Sequence, residues 1–332
     1  MFRTLGQERV VAQWQGARRR GEVAHAYLLV GPPRVGKGTL ARELAQSLNC
    51  PEQDPPCSSC SSCQRIAAGV HPDVLLVTIV PDPKTGRPRT EIGIDQVRDM
   101  ERLAFLPPFE GKYKVYIIDG AEKLSLEAAN AFLKTLEEPI SGVVFLLLTS
   151  QPARLPPTLV SRCQVLEVRP LGREAAERAL APSRGPQQAR LLAGVSAGCL
   201  GLALDQEFHR ARAEALEGWL RLAREGLVER FDFVQGLASR WERDRPGVME
   251  VLLQWRGWFR DLLLLQAGCP QGVVNLDYGQ ELARQGERWD LDTIVRGLRH
   301  LAETCLALER NANARLALEV LMLRLPREKA YA

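Results

Sequence analysis

Hydrophobic positions follow two regimes along this chain. In the first half, short continuous apolar runs alternate with stretches of helical spacing. Ala26–Val30 (AYLLV), Val74–Val80, Lys114–Ile118 (KVYII), Val143–Thr149 and Val165–Val168 read as strands by length and composition. Between them, Thr39–Leu48 carries Leu40, Leu44 and Leu48 on one side, and Ile94–Leu106 carries Val97, Met100, Leu103 and Ala104. Leu126–Leu136 does the same with Ala129, Phe132, Leu133 and Leu136. Alternation of strand and helix predicts an α/β domain with a mostly parallel sheet covered on both faces. After about Pro170 the strand pattern stops. Residues 173–206 read as short helices broken by Gly and Pro. Residues 208–325 are Leu-, Ala- and Arg-rich and read as an all-α region, interrupted by a turn-like stretch at 268–280. There, Trp255, Trp258 and Leu262 share a helical face, with Phe259 beside them, and need only a buried helix core to explain them. The polar stretch 81–91 (PDPKTGRPRTE) reads as a loop.

Composition narrows the picture without deciding it. A chain of 332 residues exceeds one compact core, so two or three domains are expected. Hydrophobic residues at 45% and charged residues at 25% are ordinary for a soluble protein. No uncharged apolar run approaches the roughly 18 residues needed to cross a bilayer. The N-terminal MFRTLGQERV lacks an apolar signal core, which argues against secretion and for a cytoplasmic protein with no membrane partner. A net charge of +4 permits a nucleic-acid partner but does not argue for one. Arg18, Arg19 and Arg20 read as a solvated helix end.

The first stretch with chemistry in it is GPPRVGKGT, comprising Gly31, Pro32, Pro33, Arg34, Val35, Gly36, Lys37, Gly38 and Thr39. Gly31 to Lys37 fits G-x-x-x-x-G-K, and the strand before it and helix after it are the context that a phosphate loop needs. In such a loop, backbone N–H groups and the helix N-terminus face the phosphates, and the lysine adds a charge near the outer ones. The residue after the lysine usually offers a hydroxyl to Mg²⁺; here it is Gly38. Thr39 is next, but sits about 100° further round the helix. The run GKGT also resembles the loop of adenylate kinases, so a nucleotide kinase stays open as a minority reading.

Four of the eight cysteines, Cys50, Cys57, Cys60 and Cys63, lie within fourteen residues. Two C-x2-C steps let successive thiolates wrap one ion, which predicts a Zn²⁺ site. All four positions would be filled by protein, so the ion would be structural. Cys163, Cys199, Cys269 and Cys305 read as packed apolar residues.

Several segments occur in a particular order: HAYLLVGPPRVGKGTLA, the four cysteines, HPD (71–73), IGIDQVRDM (92–100), VYIIDGAEKLSLEAANAFLKTLEEP (115–139), LLLTS (146–150) and LVSRCQ (159–164). As a set they resemble bacterial DNA polymerase III clamp-loader subunits of the AAA+ class. The resemblance spans about residues 7–170; the rest fits by helical character and length. It implies a RecA-like AAA+ P-loop domain at 1–168, with the cysteine module 50–63 inserted. A small helical lid domain at 169–207 and a helical collar, or oligomerisation, domain at 208–332 would follow.

The family contains ATP-hydrolysing gamma/tau motors and a relative, delta-prime, without those hydrolytic parts. Asp119 ends a strand and, by the resemblance, would orient magnesium through water. A motor normally has a glutamate directly after it to activate the attacking water; here that position is Gly120, which can do no acid–base work. Glu122 lies two residues further on and is not expected to reach the same spot. Where motors place an arginine against the terminal phosphate, the stretch SAGCLGLAL (196–204) offers Gly201. These losses point to the delta-prime branch, with ATP or ADP binding still allowed and hydrolysis negligible. An active gamma/tau-type ATPase is the alternative within the family.

The resemblance also makes Arg162, in SRC (161–163), an arginine finger that reaches a neighbouring subunit's ATP. The plainer reading is a surface arginine paired with a nearby acid. Thr149 falls where the family has a polar sensor, and satisfying a local backbone group accounts for it equally well. The implied partners are three gamma/tau chains and delta in a heteropentamer, with the sliding clamp and primed DNA met through that complex.

Overall fold

The computed structural model describes residues 2–81 and 89–328. Most of the predicted loop 81–91, and the last four residues of the 208–332 region, therefore lie outside the described residues. The chain divides into two compact units: residues 1–176 with 197–201, and residues 177–196 with 202–332.

The first unit is built on α1 (Glu8–Arg20), β1 (Ala26–Val30), α2 (Lys37–Asn49), α3 (Ser61–Ala68), β2 (Val74–Val77) and α4 (Ile94–Ala104). β3 (Lys114–Asp119), α5 (Leu126–Glu137), β4 (Val143–Thr149), α6 (Pro157–Val160) and β5 (Gln164–Glu167) follow. The five strands form one sheet in the order β2-β3-β4-β1-β5, and every pairing is parallel. This is the predicted RecA-like P-loop architecture.

Central β4 is buried at every position, and its side chains alternate between two cores. Val144, Leu146 and Leu148 join Trp14 of α1 and Leu40 and Leu44 of α2. Val143, Phe145 and Leu147 join Val97 and Met100 of α4, Phe132 and Leu136 of α5, and Leu159 of α6. Because helices cover both faces, the strand needs no polar alternation.

Strand and helix ends moved by a few residues at most. The largest change is in β2, expected to run to Val80 but ending at Val77. Among the described residues it is an edge strand, paired to β3, and the Gln96 side chain donates to the Thr78 carbonyl at 2.9 Å just where pairing stops.

From Arg173 onward the chain is helical: α7 (Arg173–Arg184), α8 (Pro186–Val195), α9 (Leu200–Ala203), α10 (Gln206–Leu222), α11 (Leu227–Trp241) and α12 (Arg245–Gln266). These are followed by α13 (Gly279–Arg288), α14 (Leu291–Glu309) and α15 (Ala314–Arg324). The second unit's core centres on Trp219, Trp255, Trp258, Phe259, Leu262 and Trp289. Phe259 stacks on Trp289 at 6.0 Å between centroids. Gly297 of α14 permits this packing, since a Cβ there would meet Phe259 at 2.3 Å.

The turn-like stretch 268–280 is pinned from inside the core. Fully buried Asp261 accepts from the N–H groups of Val274 and Asn275 and from the Asn275 side chain, while Arg212 forks onto Asn275 and Asp277. Among the described residues no helix is long and apolar enough to cross a membrane.

Candidate functional site

The phosphate loop leaves the C-terminal end of β1, where parallel sheets place ligand sites. Two glycines are demanded by geometry. A Cβ on Gly31 would lie 2.3 Å from the Val168 carbonyl oxygen, and Gly36 has φ +106, a left-handed conformation that ends the loop and starts α2. The N–H groups of Lys37, Gly38 and Thr39 open α2 and have no acceptor among the described residues. That is the anion-ready end of a helix. Lys37 turns back over the loop, donating from Nζ to the Gly31 carbonyl at 2.7 Å and the Pro32 carbonyl at 2.8 Å. Burial lowers its pKa, and the charges of Glu122, Asp119 and Cys199 offset part of that effect.

Pro32, Pro33 and Val35 complete the loop, with Val35 packed on the core beside α2. Thr39 is exposed, as its angular position predicts. Nothing lies within 4 Å of a Cβ built on Gly38, so the surroundings would have admitted a serine or threonine there.

Asp119 ends β3 beside Leu148 of β4. Gly120 has φ +82, which a glutamate would adopt only with strain. The chain turns at once into a short 3-10 segment, Ala121–Lys123, and this brings Glu122 to Ser150, whose hydroxyl donates to Oε1 at 3.0 Å. Burial acts to raise the Glu122 pKa, but bonds from its own backbone N–H and from the Thr149 and Ser150 hydroxyls outweigh it and hold the carboxyl below its usual value. Glu122 therefore stands as an anion in the same electrostatic field as Lys37, which its spacing in the sequence did not suggest. Thr149 is buried and accepts from the Gln151 N–H at 3.1 Å. The segment 197–201 also reaches the loop: the Gly201 N–H donates to the Arg34 carbonyl at 3.1 Å, and a Cβ on Gly201 would sit 2.5 Å from that oxygen.

Arg162 stands apart from the loop, just past α6. It donates to the Thr158 carbonyl at 2.8 Å and to Glu137 at 2.7 Å, with a third of its side chain exposed.

Cys50, Cys57, Cys60 and Cys63 converge, all four sulfurs lying within 4.8 Å of one another. The Cys50–Cys60 and Cys57–Cys63 separations are 4.0 and 3.9 Å. Four thiolates about 2.3 Å from a tetrahedral zinc would be about 3.8 Å apart, so this donor set can hold such an ion. Hydrogen bonds from the Ser59 side chain and from the N–H groups of Cys60 and Ser59 hold the Cys57 thiol down at about 6, favouring the ligating thiolate. Burial pushes Cys50 and Cys63 up. The module is tied to the domain by Gln46 of α2, which donates to the Cys63 carbonyl at 2.7 Å. His71 and Asp73 are buried nearby, and Asp73 accepts three backbone N–H bonds from Phe109, Glu110 and Gly111. The other four cysteines are free thiols, with Cys199 and Cys305 buried and Cys163 and Cys269 partly so.

Two family models match this chain. The one described as "DNA polymerase III, delta subunit" covers residues 6–172, and the one described as "DNA polymerase III, delta subunit, C terminal" covers 228–327. The chain is 31% identical to the DNA polymerase III subunit delta' of Bacillus subtilis over 329 residues, 96% of each chain. It is 36% identical to that of Pseudomonas aeruginosa over 69% of each. The Bacillus subtilis subunit tau is 37% identical over 162 residues, but only 27% of that longer protein is covered. Among solved structures, a gamma subunit-related protein from Thermotoga maritima superposes at TM-score 0.44 with 19% identity, over 94% of this chain and 97% of that one. Relatedness over nearly the whole length, in both units, is what distinguishes delta' from tau here, and the chain belongs to the delta-prime subunit family of DNA polymerase III.

Proposed function

We propose that this chain is the stator of a DNA polymerase III clamp loader: it joins gamma/tau and delta subunits in a heteropentamer, lends Arg162 to a neighbour's ATP, and hydrolyses none itself. The complex would load the sliding clamp onto primed DNA, and this chain would meet clamp and DNA only through it. On this reading residues 1–168 carry the loop, 169–207 the lid and 208–332 the oligomerising collar.

The observation that carries the reading is the state of the phosphate loop. Its gripping parts, the helix-end N–H groups and Lys37, are intact. Its cutting parts are missing in ways built into the backbone: a left-handed Gly120 after Asp119, and a Gly201 pressed against the loop where an arginine would need room. ATP or ADP can be held by Gly31 to Thr39, with Asp119 and Thr149 at its edge. Loss of a positioned base alone costs about 10²–10⁴ in rate.

Purified chain should therefore show no ATP turnover that Lys37→Ala removes. Mixed with gamma/tau and delta, it should give a stoichiometric pentamer with clamp-loading activity. A Lys37-dependent ATPase in the isolated chain, or failure to enter the pentamer, would sink the stator reading.

We propose that the four cysteines hold a structural zinc ion. Metal analysis should find one zinc per chain, and strong chelation should release it. The four thiols should then react with a thiol reagent, and the melting temperature should fall, because metal binding energy contributes to folding.

A further inference from the structure

Arg162 is anchored at both arms of its guanidinium. One arm donates through Nη1 to the Thr158 carbonyl, four residues back, and so ties the guanidinium only to its own local chain. The other donates to Oε1 of Glu137 at 2.7 Å, twenty-five residues earlier in sequence. Glu137 is the last residue of α5, a separate element that packs against α6. This second bond therefore sets the plane of the guanidinium against the body of the domain.

Stability does not account for Glu137. The two side chains are 33% and 51% exposed, and an ion pair so open to water contributes little. A carboxylate at the C-terminal end of a helix also faces the negative end of the helix dipole, which disfavours it. What the pair does provide is orientation. A guanidinium has five N–H donors in one plane, and among the described residues the two bonds to Thr158 and Glu137 leave the others open. A fork that arrives already oriented loses less freedom when it closes on phosphate oxygens.

We propose that Glu137 is a positioning residue: it holds Arg162 so that the remaining N–H groups meet the phosphates of a nucleoside triphosphate bound by the adjoining subunit. This rests on the reading of Arg162 as a finger given in trans.

A double-mutant cycle in the assembled loader tests it, with Arg162→Ala, Glu137→Ala, both together, and Glu137→Gln. Each assembly is first checked for pentamer stoichiometry, and kcat and KM for ATP are then measured. Glu137→Ala should lower kcat by about tenfold, as expected for a misplaced reacting group, with KM unchanged. Glu137→Gln should recover most of the rate, because its amide oxygen can still accept the Arg162 N–H. The double variant should be no slower than Arg162→Ala alone, since Glu137 acts only through Arg162. If Arg162→Ala turns over at the wild-type rate, the finger reading itself fails. If Arg162→Ala is slow but Glu137→Ala is unchanged or faster, or if the two losses multiply in the double variant, positioning by Glu137 is overturned and the finger stands.

Discussion

Arg162→Ala should slow ATP hydrolysis at the adjoining motor site by about 10³-fold or more, the range known for arginine fingers supplied in trans. The isolated chain should fold as before. Among the described residues the partners lost are one local carbonyl and the exposed carboxylate of Glu137, an ion pair worth about 0–1 kcal/mol. Single-turnover hydrolysis in the reconstituted pentamer, compared with the melting curve of the free chain, separates the two quantities. Lysine is a poor substitute here, because it keeps the charge but loses the planar fork. Arg162→Lys should therefore remain well below wild type. A pentamer that hydrolyses ATP and loads clamp normally with Arg162→Ala would remove the trans role, whatever else the chain does.

Arg230→Met should cause the largest loss of stability of any single substitution considered. Arg230 is fully buried in the second unit and faces four carbonyls at helix ends: Leu222 at 2.9 Å, Met322 at 2.9 Å, Leu325 at 3.0 Å and Pro326 at 2.7 Å. Leu222 and Met322 lie in the last turns of α10 and α15, where carbonyls lack a partner within the helix, and Leu325 and Pro326 follow α15 directly. Burial brings the Arg230 pKa down to about 10, with the Arg327 charge adding to the effect, so the group is still cationic at neutral pH. Methionine would refill the volume of the stem but leave those oxygens dry and unbonded. At about 1 kcal/mol or more per orphaned group, the loss is about 4 kcal/mol or more, or roughly 8–16 °C in melting temperature for a unit of this size. Thermal unfolding followed by tryptophan fluorescence reports on this unit directly, because Trp219, Trp255, Trp258 and Trp289 are buried in its core. An unshifted transition would show that water or neighbouring groups satisfy the carbonyls instead.

Arg230 also marks a limit of sequence reading. Its neighbourhood, LVERFDF, is that of an ordinary amphipathic helix, and nothing local says that this arginine turns inward. The same holds for Lys114, whose ammonium caps the Leu103 carbonyl at the end of α4 and the Leu106 carbonyl just past it, and for Asp261, which pins the 268–280 turn from thirteen residues away. Each charge is buried because of partners brought in by distant chain. Helix α1 is a different kind of miss. Val10, Trp14 and Ala17 are spaced for one buried face, but the surrounding Gln and Arg residues hide the pattern. The partner of Glu122 was not legible either: the left-handed Gly120 turns the chain after Asp119 and brings Glu122 to Ser150.

The linear sequence was sufficient for the five strands, three of the helices between them, the glycine loop after the first strand and the convergence of four cysteines. These are local facts, set by apolar period, glycine placement and ligand spacing, and neighbours in sequence suffice to express them. The tertiary structure alone decided which face of β4 meets which helices, where Glu122 points, what Arg162 rests on and which charges are buried. Those depend on contacts between segments tens of residues apart, and a chain read one window at a time carries no record of which distant segment will arrive.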